Sequence, residues 1–287
     1  MAIPWQETAV RLGMKPIVSY ASTVIFNWAL IDESKGMTSE NFRCLHTFTG
    51  STDESWFYMI DLKIELIGNE IIEFLEHLFS SFGDPAELSR NLAILSNFVK
   101  RITNTLMGVY EHCHPAVFYH KIRPFLSGWF NSQSFPNGLE YESGKFCKFA
   151  GASAAQSPTI QILDAILSIK HNEDPLTTYL MDMREYLPAK YRNLILSVES
   201  KSPAIREFLL EKAKDAEYSS CIENFNTCVK EMENFRDKHI QIVASYIMSQ
   251  SSRSAEEAKG TGGTSPMIFL RASRKENSDA LITRKEN

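Results

Sequence analysis

The stretch "FRDKHIQIVASYIM", Phe235 to Met248, decides the fold of this chain. Counting back from His239, the residues Cys221, Phe225, Cys228, Met232 and Phe235 step by three and four, and Ile242 and Tyr246 keep the step going forward. Such a stripe is one apolar face of a long helix, predicted here from about Tyr218 to Gln250. His239 lies inside that stripe. An imidazole removed from water needs a hydrogen-bond or coordination partner, so the seam also poses a question about chemistry.

Working outward, the same period recurs. Ile60, Ile64, Ile67, Ile71, Phe74 and Leu78 form an unbroken stripe, with Asp53 and Ser55 as cap candidates before it and "GDP" (Gly83 to Pro85) as its stop. Leu88, Leu92, Leu95, Val99, Ile102, Leu106 and Val109 repeat the pattern up to Pro115. Two long helices joined by a short turn are expected to pack antiparallel. Further helices are predicted at about Phe118 to Phe130, Pro158 to Lys170, Pro175 to Tyr186 and Pro203 to Lys214. "IVSYASTVIFNW", Ile17 to Trp28, fits either element: its β-branched content suits a strand, while Ile17, Tyr20, Val24 and Trp28 share a helical face. It is read as helix, for want of a neighbouring partner strand. Long connections are expected from Asn131 to Ser157 and from Ser251 to Pro266, the second a mobile polar linker ending in glycines. No internal repeat is visible.

The chain has 287 residues, 44% hydrophobic and 23% charged, enough to bury a substantial core. A net charge of -5 with dispersed basic residues lacks the stripe that follows a phosphate backbone, so nucleic acid is not an expected partner. Neither a leader pattern nor an apolar run of about eighteen residues is present, which points to a cytoplasmic protein without a membrane partner. Five cysteines without a CxxC pair or zinc spacing read as reduced thiols. Cys221 and Cys228, seven helical residues or about 10 Å apart, are too distant for a disulfide.

Taken alone, each candidate residue has a plain reading beside a functional one. His239 is either a core histidine bonded to a carbonyl or an axial ligand to a buried metal or haem. Arg123, in the aromatic segment "HPAVFYHKIRPFLSGW", is either a rim residue with a packed stem or a two-pronged clamp for a carboxylate. On a regular helix it would diverge from Phe118 by about 140°. His112, His114 and His120 offer no companion ligand for zinc. "FAGASAAQSP" ends at a helix start with Ser157 as cap and Pro158 in the first turn, its small residues allowing something flat to approach. "GTGGT" has no GK[ST] and is not a phosphate loop.

In order and at these separations, "FYHKIRPFLSGW", "FAGASAAQS", "FRDKHIQIVASYI" and "KGTGGT" resemble the indoleamine 2,3-dioxygenase family of haem enzymes, which includes invertebrate myoglobins of the same fold. The resemblance runs from about Trp5 to Phe269. It implies an all-α, multi-helix domain that holds haem b, here one large domain over residues 1–287, with 251–265 as a mobile loop and the family's small amino-terminal domain absent. It implies that His239 is the proximal iron ligand, which would make the seam the haem wall. Phe118 would pack on the indole and Arg123 would pair with the substrate carboxylate. Tyr20, Thr23 and Phe57 would line the distal pocket with Tyr58 behind them. Ser153 and Ala154 would lie at the haem edge, and the loop of Thr261, Gly262 and Gly263 would close over substrate, with Gly263 reaching the cofactor. Three departures stand out: Thr23 where mammalian members have cysteine, Asp61 where they have serine facing the haem, and Ala155 for a glycine.

The expected function is therefore opening of the indole ring of L-tryptophan, or a related indoleamine, by O2 to N-formylkynurenine, in a monomer, with no side-chain acid or base demanded by the motifs. The alternative is an O2-binding, myoglobin-like protein of the same fold without dioxygenase activity. A third reading, a helical scaffold without haem, is separated from both by a haem absorption band.

Overall fold

The computed structural model describes residues 2–38, 40–170, 175–201, 203–251 and 259–283. After helix α1 (Ala2–Leu12) the chain makes a π-helical turn at Ala21–Ile25 and a two-stranded ribbon, β1 (Trp28–Leu30) paired antiparallel with β2 (Phe42–Cys44). The two long predicted helices follow as α2 (Thr52–Ser80) and α3 (Pro85–Met107). Then come the short helices α4 (Val109–His112) and α5 (Pro115–Val117), a second π turn at Phe118–Ile122, and α6 (Arg123–Leu126). A second ribbon, β3 (Leu139–Glu142) with β4 (Lys145–Cys147), precedes α7 (Pro158–Ile166), α8 (Pro175–Arg184), α9 (Ala189–Lys201) and α10 (Pro203–Glu211). The chain ends in α11 (Ser219–Tyr246) and α12 (Pro266–Ser278). The all-α class is as expected.

Helix α2 starts where Ser51 accepts the amide of Glu54 at 3.2 Å, satisfying an orphan donor of the first turn. The expected cap residues Asp53 and Ser55 sit inside that turn, and Asp53 instead accepts the amide of His114 at 2.8 Å. Helix α3 is capped by Asp84, which accepts from Ala86 and Glu87, with Pro85 in its first turn. The pair is antiparallel. The Trp56 indole donates to the Gly108 carbonyl at 2.8 Å, Arg101 pairs with Glu70, and Asn91 donates to the His77 carbonyl.

Helix α11 lies along α3 in the same direction, since Cys221 donates to the Pro85 carbonyl and Cys228 to that of Leu92, while Tyr246 reaches Val109 and Cys113. Leu88, Leu92, Leu95, Val99 and Ile102 are fully buried, as are Cys221, Phe225 and Met232 facing them. Completely removing such side chains from water stabilises the pair by about 1.5–3 kcal/mol each. All five cysteines are free thiols. No described helix is long and apolar enough to cross a membrane.

Several expectations are corrected. Ile17 to Trp28 is not one helix: its middle is the π turn, and Trp28 opens a strand whose partner, Phe42–Cys44, lies across a loop. The segment from Phe118 to Phe130 is helical only to Leu126 and contains the second π turn. Pro158 to Lys170 is helical only to Ile166. The connection from Asn131 to Ser157 contains a β-ribbon, and α1, α9 and α12 were not foreseen. The linker expected at 251–265 falls partly on residues 252–258, outside the described residues.

Candidate active site

The seam of α11 is buried as predicted up to Phe235, and at His239 it opens onto a cavity. That cavity collects Tyr20, Thr23, Phe57, Tyr58, Phe118 and Arg123 from the first half of the chain. From the second half come Ser153, Ala154, His239, Thr261 and Gly262. Gly263 is the exception: it lines a separate polar cavity that shares Arg123, Gly260 and Thr261 with the first.

The imidazole of His239 meets no hydrogen-bond donor or acceptor among the described residues; its nearest ring is Phe235, at 6.2 Å. Burial first, and the charge of Arg236 second, push its pKa down to about 4. The ring lines the cavity, and the downward shift favours its neutral form, which carries one nitrogen lone pair. Beside it, the buried Arg236 guanidinium donates to Asp164 at 2.5 Å and to Asn277 at 2.7 Å, tying α11 to α7 and α12. This cluster was missed in the sequence, because one arginine on an amphipathic helix reads as solvent face.

Arg123 and Phe118 reach the cavity together through the π turn, in which the Arg123 amide donates to the Phe118 carbonyl five residues back. Phe118 lies 4.7 Å from Phe57, and Tyr246 backs it at 5.7 Å, edge-on. The Arg123 guanidinium stands over the Tyr119 ring at 5.2 Å and donates to the Lys259 carbonyl. Its Nε is buried without a partner among the described residues. Burial lowers the Arg123 pKa, yet an arginine remains a cation.

Of the tyrosines, Tyr20 gives its hydroxyl to Glu65 at 2.9 Å and Tyr58 gives its own to Glu54 at 3.0 Å, so both offer the cavity ring surface. The Thr23 hydroxyl bonds back to the Ser19 carbonyl. Ser153 caps the short turn Ala154–Gln156 by accepting from Ala155, and Ser157 with Pro158 starts α7 as read from the sequence. The glycine-rich loop is pinned through Thr261: its carbonyl accepts from Gly128 and Gly151, and its hydroxyl donates to Ala152 at 2.5 Å. At Gly262 a Cβ would fall 2.1 Å from the Tyr179 hydroxyl, and at Gly263 (φ +84°) it would fall 2.6 Å from the Phe130 carbonyl. Tyr179 and Phe269, unforeseen, complete the wall and contact each other at 5.3 Å. His112, His114 and His120 lie outside it, His112 edge-on to Trp56 and His114 capping α5.

The family model for indoleamine 2,3-dioxygenase matches residues 1–280. The chain is 33% identical to indoleamine 2,3-dioxygenase 1 of Rattus norvegicus, with 99% of this chain aligned to 72% of the relative. It is also 33% identical to indoleamine 2,3-dioxygenase of Saccharomyces cerevisiae, over 96% and 71%. To the 6-hydroxytryptophan 2,3-dioxygenase of Fusarium equiseti it is 31% identical, over 98% and 74%. With the family model covering nearly all of its length, the chain belongs to the indoleamine 2,3-dioxygenase family of oxidoreductases.

Proposed function

We propose that the protein is a haem-dependent dioxygenase that opens the indole ring of L-tryptophan with O2 to give N-formylkynurenine. The observation carrying this reading is that His239, an imidazole with a lowered pKa and no hydrogen-bond partner among the described residues, enters the same cavity as Arg123 and the Phe57–Phe118 pair. The relatives named above support it.

The residues fit a haem. His239 offers a ring nitrogen that would hold the iron, Phe235, Ile242 and Val243 give an apolar wall, and Ala152 to Ala155 are small enough for a flat group to close against. Ser153 and Ala154 would meet the edge of the ring system. Haem, when bound, supplies the redox chemistry by which O2 reacts with the indole. This chain's own residues bind and orient. Arg123 pairs with the amino-acid carboxylate through a charge-assisted contact, and Phe118 and Phe57 hold the indole plane. The loop held by Thr261 shuts the site from water. Positioning of this kind accounts for a large part of catalysis when no side-chain base acts.

The test is direct. Protein reconstituted with haem and reduced is incubated with L-tryptophan under air, and the product is identified by its absorbance and mass. N-formylkynurenine is expected. Reversible O2 binding with no product would instead assign the myoglobin-like role, and absence of a haem band after reconstitution would overturn both.

A further inference from the structure

Three carboxyl groups on α2 receive contrasting treatment. Glu54 accepts from the amides of Phe48 and Thr49 and from the hydroxyls of Thr49 and Tyr58. Glu65 accepts from Tyr20, Ser157 and Thr159 at 2.5–2.9 Å. Asp61, between them, is reached by no donor among the described residues, and it is the one carboxyl among the described residues lining the cavity. A fold that satisfies both neighbours so fully leaves Asp61 to find its partner in the cavity.

Position narrows what that partner is. Asp61 follows Phe57 by one helical turn, and both face the cavity, as does Ile64. Phe57 contacts Phe118, and Phe118 shares its π turn with Arg123. The wall therefore runs from cation through aromatic pair to carboxyl. A ligand with its carboxylate on Arg123 and its ring against the phenylalanines presents the atoms of that ring to Asp61.

We infer that Asp61 is a specificity-determining residue, accepting a hydrogen bond from a donor carried on the substrate's ring system and so selecting rings that bear an N–H or a hydroxyl. The inference rests on the tryptophan reading of the same cavity. Ionisation gives it a signature. Burial first, and Glu65 second, push Asp61 up to about 8, and a ring donor favours the ionised form. Ligand binding then pulls the proton off, so affinity rises with pH up to about 8 and levels above it. The groups that feel Asp61 include Glu65 and Tyr58 on α2, Tyr20 just before the first π turn and Cys113 after α4, all raised by burial. Substitution of Asp61 alone leaves all four in place.

The experiment is calorimetric titration of oxidised, haem-loaded protein, which does not turn over, with L-tryptophan, 1-methyl-L-tryptophan and 5-hydroxy-L-tryptophan between pH 6 and 9. Wild type is expected to bind tryptophan about tenfold more tightly than the N-methyl compound, the scale of one hydrogen bond to a charged group. Asp61→Leu should bring the two within twofold, and Asp61→Asn should keep the preference while losing the rise with pH. If Asp61→Leu abolishes a preference for the hydroxylated ligand and leaves the N-methyl step unchanged, the hydroxyl is the donor selected. Equal loss for all three ligands, or no change in any, with an unaltered pH profile in Asp61→Asn, overturns the inference and leaves the substrate reading standing. Failure of wild type to bind any of them removes the substrate reading, and this inference with it.

Discussion

The amide of Arg123 donates to the carbonyl of Phe118, one residue further back than an α-helix would allow. That single shift turns two side chains that would diverge on a regular helix toward one cavity. Its Nε is buried and reaches no acceptor among the described residues, while an Nη donates to the Lys259 carbonyl, so a donor is left for an anion. Arg123→Leu should weaken tryptophan binding by about tenfold to a hundredfold, the scale of a charge-assisted pair. Haem content should be unaffected. Arg123→Lys should recover little, because an ammonium lacks the planar fork. Equal affinity in the parent and Arg123→Leu would remove Arg123 from substrate binding.

His239 is the one histidine lining the cavity among the described residues. His239→Ala should lose most haem after reconstitution and desalting, and added imidazole should restore part of the absorbance band by occupying the vacated volume. His112→Ala, at a residue packed on Trp56, should keep its haem. Full haem content in His239→Ala without imidazole would end its assignment as the iron ligand.

The Arg236–Asp164 pair is buried on both sides, with exposures of 5% and 8%. Arg236→Leu removes the guanidinium that Asp164 and Asn277 both accept from, and breaking a buried pair in this way costs about 3–5 kcal/mol. Guanidinium denaturation should report that loss, and Arg236→Leu combined with Asp164→Leu should recover much of it. If the double variant is no better than the single, the pair is not the source of the effect.

What the sequence made legible follows from how burial is written. In α2, α3 and α11 one apolar face is buried against helices, so Ile60 to Leu78, Leu88 to Val109 and Cys221 to Tyr246 carry the period openly. Helix α12 does not: it buries Ser273, Glu276 and Asn277 against its neighbours, and a polar buried face has no hydrophobic period to find. Trp28 pairs with Cys44 across a turn-rich loop, so neither strand announces the other. The π turn is a change in backbone bonding that leaves the side-chain pattern intact. Of the residues lining the cavity, Phe118, Arg123, Ser153, His239 and Thr261 stand inside the quoted motifs, while Tyr20 and Phe57 came only with the resemblance; Asp164 meets Arg236 across 72 positions, and such pairing exists only in three dimensions.

Asp61 also affects stability. In the unfolded chain it titrates at its ordinary value of 3.8, and in the folded protein at about 8. Below pH 4 both states hold the proton and folding carries no penalty. Between 4 and 8 the unfolded state releases it first, so stability falls as pH rises, and above 8 the loss is constant. Asp61→Asn should therefore be more stable than wild type without ligand, by a margin that grows from pH 5 to pH 8. Denaturation midpoints that differ equally at both pH values would show that Asp61 is not held protonated.

The last prediction concerns the close approach of Gly262 to Tyr179. A methyl group at 262 would sit 2.1 Å from the phenol oxygen and 3.2 Å from the next ring carbon, so Gly262→Ala forces either the loop or the ring to move. Both line the cavity, and either movement should raise the Michaelis constant for tryptophan or lower turnover, with haem retained. Removing the oxygen relieves the clash: in Gly262→Ala with Tyr179→Phe the nearest atom becomes the ring carbon at 3.2 Å, which small shifts accommodate. Tyr179→Phe alone should have a milder effect than Gly262→Ala. The double variant should accordingly be more active than Gly262→Ala, a coupling that a double-mutant cycle measures. Strict additivity of the two substitutions would mean that the loop and Tyr179 do not meet in the working enzyme, and the loop would lose its place in the wall of the site.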